Sequence, residues 1–353
     1  MSAPLEKLLR DARIDLVLAR VEKDPTIIEE IIGHLDSEIR SIKFNAIYAL
    51  GELAEKSSSA LFKLVECLED NDWSICREAV RSLGKMGNIA ENGVAQLSKL
   101  IENEEESIRK ETAIALGKIG YPSEEAIFSL IKGLNDDSEA VRKEAAESLG
   151  KIGPDAHVAI SDLLNSIKDQ NWSVRAAAVT ALSDIGKGTR KAIPSLLKAL
   201  GDKDWRVRKA IISTLSQIGI GAVPSLLAYL EHYNPIVRKG VLEALGELKI
   251  PDPMIIKKLA TMLNDKDEGV RGKAANALSN IGKESVSALL EALESSDMDI
   301  QKLIISAIGA IGADAKDAIP TLIRILKSKE EDIDYRRERL YSKSNLLKKK
   351  LNE

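Results

Sequence analysis

The chain has 353 residues, with 51 Lys or Arg against 55 Asp or Glu and a net charge of −4. That balance supplies no global field toward nucleic acid or an anionic membrane, although a local patch remains open. It is 44% hydrophobic but only 3% aromatic, and its two cysteines, Cys67 and Cys76, show no disulfide or metal spacing; this sets aside a disulfide scaffold and suits a reducing, cytoplasmic compartment.

Residues 1–23, MSAPLEKLLRDARIDLVLARVEK, are interrupted by charge every few positions and lack the apolar centre of a signal peptide. No later run approaches the ~18 apolar residues of a membrane span. Residues 4–22 are expected to form one helix that covers the first repeat. From 24 to 312 one unit recurs nine times. Its marker is an arginine: Arg109, Arg142, Arg175 and Arg208 lie 33 residues apart, Arg238, Arg271 and Gln301 continue at 30, 33 and 30, and Cys76 and Lys43 hold the slot upstream. A period of this size predicts a stacked array of helix pairs.

In the fourth copy, numbering from Arg142, the residues Val141, Ala145, Ala146 and Leu149 at −1, +3, +4 and +7 fall on one helical face. Ile152 extends the stripe and Gly153 ends it as a left-handed cap. A short polar residue at −4 (Asp72, Ser138, Asn171, Asp204, Asn234, Asp267, Asp297) is placed to cap the helix start. Upstream lies a second apolar stripe, such as 126–134 or 192–200, with Pro194, Pro224 and Pro320 near helix starts. Each unit therefore reads as helix A, a turn, helix B and a glycine-containing loop. Residues 313–353 read as a degenerate tenth repeat: a helix A over 314–327, then Asp334 in the arginine slot and a charged helix with Ile333, Leu340 and Leu347 seven apart. Its basic run Lys348–Lys350 reads either as a solvated helix end or as a partner-binding tail.

The pattern D-x-x-x-x-V-R-x-x-A-A-x-x-L-G-x-I-G resembles a HEAT repeat, of the short type also found in phycobilisome-lyase-like proteins. The resemblance covers roughly residues 24–312 and implies an all-α fold, a right-handed α-solenoid whose B helices line a concave groove. Asp70, Asp136, Asp169, Asp202 and Asp265, six residues before the slot, stand where such families place an Asp–Arg ladder. The recurrent arginines are thus expected to tie neighbouring repeats together rather than to bind a ligand.

Helix-B positions −3, −2, +1, +2, +5 and +9 are expected on the groove. Copies one and two place Arg40, Phe44, Tyr48, Trp73, Arg77, Arg81 and Lys85 there, cations interleaved with aromatic faces. Copies three and four carry mixed charge that can pair along its own helices. Copies five and six place Trp172 and Trp205 in the same slot on adjacent repeats, among Ala176, Ala177, Thr180, Ala210 and Ser213, with Arg206 and Lys209 beside them. Exposed indoles next to small groups and a cation resemble an interface hot spot with a pocket. The plainer alternative is that each Trp covers the start of its helix. Copies seven to nine show no theme.

Chemistry is sparse. His34, His157 and His232 are followed by Leu35, Val158 and Tyr233, whereas HEAT-type di-iron hydroxylases use repeated His-Glu pairs. The Gly-x-Ile-Gly segments end helices and do not follow strands, so they are caps and not phosphate loops. The expectation is a non-enzymatic scaffold or adaptor without cofactor or metal. It would hold a protein or peptide in the groove at Trp172, Trp205, Arg206, Lys209, Ala176 and Thr180, with a second patch at Phe44, Tyr48, Trp73, Arg77 and Arg81. The alternative is a nucleic-acid-associated HEAT protein using Arg40, Trp73, Arg77, Arg81, Lys85, Arg206 and Lys209; a phycobilin-lyase-like enzyme is a third class. No membrane partner is expected, and the oligomeric state is open.

Overall fold

The computed structural model describes residues 3–186, 189–295, 297–325 and 327. Among them the fold is an all-α solenoid of two-helix repeats, divided into two compact units that meet in sequence at Ala222 and Val223. One uninterrupted array is the expectation from sequence. The division falls where the repeat spacing drops from 33 to 30, because the loop Gly219–Ala222 has four residues where Gly153–Ala159 has seven.

The nine B helices are each 14 residues long. In the first unit they are Arg40–Leu53, Trp73–Met86, Glu106–Ile119, Glu139–Ile152, Trp172–Ile185 and Trp205–Ile218. In the second they are Pro235–Leu248, Glu268–Ile281 and Met298–Ile311. The A helices are shorter, from six residues (Leu61–Glu66) to ten (Glu124–Gly133). Within each unit, successive B helices pack side by side. The 3.6-residue stripe carries the core: the β-branched residues at −1 and the Leu or Ile at +7 are buried in every copy, from Ile42 and Leu50 to Ile300 and Ile308. Each such side chain stabilises the stack by about 1.5–3 kcal/mol relative to exposure.

All seven polar residues expected to cap helix B do so, each accepting a backbone N–H of the first turn. Gly153 differs from expectation. Its φ of 75° is positive, but with ψ −140° it lies outside the left-handed helical region, in a region open essentially to glycine alone.

The N-terminal segment is two helices, Leu5–Arg10 and Ile14–Lys23, and not one. Ala12 turns the chain between them at φ 53°. The break lets both Leu8–Leu9 and Val17–Val21 be buried, and Asn45 of the first B helix donates to the Leu9 carbonyl at 2.7 Å. A second correction concerns apolar length. Trp205–Tyr229 is 25 residues long and contains an 18-residue window with a mean hydropathy of 1.6, enough by length and composition to cross a membrane. Within that stretch the B helix ends at Ile218, where Gly219 takes a φ of 75°. Residues 319–325 are helical; Ile333, Asp334, Leu340, Leu347 and Lys348–Lys350 lie outside the described residues.

The ladder is present. Arg109, Arg142, Arg175 and Arg238 each fork onto the Asp of the next repeat, with Nε–carboxylate distances of 2.7–2.8 Å, and Lys43 reaches Asp70 at 2.5 Å. Where the slot loses its arginine, at Cys76, the next repeat has Asn103 in place of Asp. Cys76 turns its thiol to the Leu68 carbonyl instead.

Candidate interface on the B-helix face

The fifth and sixth B helices carry the tryptophans, and the capping residues position what surrounds them. Asn171 accepts the Ser173 N–H at 2.7 Å, so Trp172 begins its helix. Asp204 does the same for Arg206 N–H at 2.9 Å, and its carboxylate also binds the Arg206 guanidinium at 3.0 and 2.7 Å. Hydrogen bonds from the Arg206 side chain, then from its backbone, pull the Asp204 carboxyl down to about 2. Held in this way, the guanidinium carbon lies 3.3 Å from the centroid of the Trp172 ring, a cation–π contact between adjacent repeats. Neither indole is tucked away: Trp172 is 37% exposed and Trp205 61%.

Between these two helices runs a hollow of about 410 Å³. Its walls are Trp205, Arg206 and Lys209 from the sixth repeat and Ala176, Thr180 and Asp184 from the fifth. It exists because the groove positions shrink here. Ala176, Thr180, Ala210 and Ser213 occupy places that hold Lys110, Ile114, Glu144 and Glu147 in copies three and four. Trp205, Arg206, Lys209, Ala176 and Thr180 are thus brought together, with Trp172 joined through Arg206. Ala177, expected beside them, is 6% exposed and belongs to the core. Position +2 lies on the same flank of the helix as +6, which meets the preceding B helix. The same logic buries Glu78 and Gly240.

Asp184 was not among the residues expected from sequence. The signal was available: position +9 is Lys85, Lys118 and Lys151 in copies two to four and reverses sign at Asp184. Partial burial pushes its carboxyl above the usual range.

The first patch is built differently. Phe44 and Tyr48 are half-buried, and Trp73 is exposed. Arg77 lies 4.9 Å from the Trp73 ring centroid and Lys85 4.7 Å from that of Tyr48. Most of its cations are already neutralised: Arg40 by Asp72 at 2.5 Å, Arg81 by Glu78 and Glu111 at 3.1 Å each, Lys85 by Glu52 at 2.7 Å. Beneath them Glu78 is fully buried, with Oε1 lacking a hydrogen-bond partner. Burial pushes its carboxyl up, against the pull of Arg81. A raised acid stabilises the fold below its ordinary value and loses that contribution as pH rises through the folded one. Glu78→Gln is therefore expected to raise stability by about 1 kcal/mol at pH 7.5, the gain fading toward pH 4; thermal melts at both pH values measure the difference.

Other hollows have no counterpart in the expected site. One of about 680 Å³ lies between the A helices Pro253–Thr261 and Val286–Ser295, floored by small residues such as Ala260 and Ala288. Another of about 620 Å³ flanks the Arg175–Asp202 rung. Neither presents an aromatic side chain. Among the described residues no group of three or more His, Cys, Asp and Glu side chains is placed to hold a metal ion.

A family model described as HEAT repeats matches residues 63–128, 94–183, 160–224, 223–297 and 256–340. No curated protein matches the chain significantly. Among solved structures, the crystal structure of an engineered protein is similar: 24% identical, covering 84% of this chain and 91% of that one, with a TM-score of 0.46.

Proposed function

Since this chain belongs to the HEAT-repeat family, we propose that it is a non-catalytic scaffold or adaptor that holds a protein or peptide partner on its B-helix face, anchored at Trp172 and Trp205. One observation carries this reading. Two indoles in the same slot of adjacent repeats stay exposed, one clamped by Arg206 and the other walling a hollow. Exposing large aromatic surface without a partner is unfavourable, and Trp with Arg over a small-residue floor is what interface anchors are made of. Cys67 and Cys76 are buried, free and pushed up to about 11 by burial, which suits thiols kept reduced in the cytoplasm.

The double substitution Trp172→Ala/Trp205→Ala is expected to leave far-UV circular dichroism unchanged and to weaken retention of co-purifying partner at least tenfold, read by quantitative mass spectrometry of tagged protein. Unchanged retention would remove the anchor assignment. The nucleic-acid alternative requires free cations, and the pairing of Arg40, Arg81 and Lys85 with acids counts against it. Binding to a single-stranded oligonucleotide that falls steeply with salt would restore it.

A further inference from the structure

Several charges on the B-helix face neutralise one another across repeats: Lys85 with Glu52, Arg81 with Glu111, Lys239 with Asp267, Lys273 with Glu243. The hollow between repeats five and six is lined instead by unpaired charges of both signs. Lys209 at one end and Asp184 at the other both line it, and neither has an ion-pair or hydrogen-bond partner among the described residues. Nothing offsets the burial that raises the Asp184 carboxyl. Lys209 is backed by Arg206, whose own charge is shared with Asp204. Gly150 against Ala181, and Thr214 donating to the Val179 carbonyl, show neighbouring B helices running level with each other. Lys209 sits at +1 and Asp184 at +9, so their backbone positions are offset by about 12 Å along the helix axis at 1.5 Å per residue. Four residues of extended chain, at about 3.3 Å each, span that distance.

Resting on the anchor reading above, we infer that this hollow recognises an extended peptide segment carrying an acidic and a basic side chain four positions apart, the acid at Lys209 and Arg206 and the base at Asp184. Trp205 and the floor of Ala176 and Ala210 take the apolar residues between them. A uniformly anionic strand does not fit, because Asp184 repels its far end. A uniformly basic segment fails at Lys209 for the same reason. The opposed poles also fix direction, since a segment entering the other way places like charges together.

The test is fluorescence anisotropy with labelled, end-blocked pentapeptides and the full chain. The probe Glu-Val-Pro-Val-Lys, kept extended by its proline, is compared with the Gln/Gln, Glu/Glu and Lys/Lys versions. The mixed probe is expected to bind about tenfold more tightly than the Gln/Gln probe. Asp184→Asn should abolish the advantage of the terminal Lys, and Lys209→Gln that of the Glu, each read as the affinity ratio to the Gln/Gln probe on the same variant. Asp184→Lys should reverse the preference toward Glu/Glu. Equal binding of all four probes, or an Asp184→Asn loss shared by all four, overturns the inference, as does the absence of any binding. Trp205→Ala separates the two levels: if it weakens every probe while the charge substitutions change nothing, the anchor stands and the polarity falls.

Discussion

Replacing Arg175 with methionine is expected to lower the unfolding free energy by about 3–5 kcal/mol, the range for breaking a buried ion pair from one side. Its guanidinium makes four bonds: Nε and Nη2 to the two Asp202 oxygens at 2.7 and 2.8 Å, and Nη1 to the carbonyls of Asp169 and Gln170 at 2.9 and 3.1 Å. Only 6% of Arg175 is exposed, so water cannot replace what the substitution removes. Arg208 is the internal control. It keeps the two carbonyl bonds, to Asp202 and Lys203, but His232 occupies the slot where the next aspartate would stand. Arg208→Met should cost only about 1 kcal/mol, the scale of ordinary hydrogen bonds. Urea titration of both variants gives the comparison; equal losses would mean that the carboxylate contributes nothing to the rung.

The same rung sets an acid limit. Burial pushes the Asp202 carboxyl up, but the Arg175 hydrogen bond and the Asp204 backbone N–H outweigh it, and the net position is below 3.8. Asp136, Asp169 and Asp265 are shifted in the same direction by the same balance. A lowered acid contributes stability that is complete above its ordinary value and is lost as pH falls through the folded one. The wild-type chain should therefore lose stability steeply below pH 4, and less so once a rung has been replaced on both sides.

These rungs are legible in sequence because a strict period puts Arg in one slot and Asp six places before it, which makes the pair 27 residues apart across the repeat boundary. Caps and core are legible for the same reason, since each depends on residue type at a fixed offset. What period alone does not show is which flank of helix B turns toward its neighbour. Ala177 and Glu78 look like surface residues by offset and are buried by the adjacent B helix. At Asp184 the sequence shows the change of sign at +9, but the lack of a partner is a property of three dimensions. The break at Ala12 exists to satisfy two apolar pairs at once, and nothing in the local propensity of residues 10–14 demands it.

The close approach that turns those flanks together supplies the other large effect. At +8 of one repeat stands a glycine and at +6 of the next a small residue: Gly51 with Ser82, Gly84 with Ala115, Gly117 with Ser148, Gly150 with Ala181. A Cβ at Gly117 would lie 2.3 Å from Ser148 Oγ, 2.6 Å from its Cβ and 2.9 Å from its Cα. The hydroxyl is itself committed, donating to the Ala113 carbonyl at 2.7 Å. Gly117→Ala must therefore separate two backbones, and a loss of about 3 kcal/mol is expected, the upper range of overpacking. Helix propensity alone predicts the opposite sign, a gain of about 1 kcal/mol for Gly→Ala in a helix interior. Gly272, in helix Glu268–Ile281 with nothing within 4 Å of the position a Cβ would take, should show that gain. The pair Gly117→Ala and Gly272→Ala thus separates packing from propensity in one protein. Adding Ser148→Gly to Gly117→Ala should restore part of the loss and not all of it, because the side-chain clash disappears while the backbone α-carbon at 148 still stands 2.9 Å from the new methyl. Full recovery in urea melts would mean that the helices themselves can part without cost, and that the glycines are there for the serine and not for the close approach of two backbones.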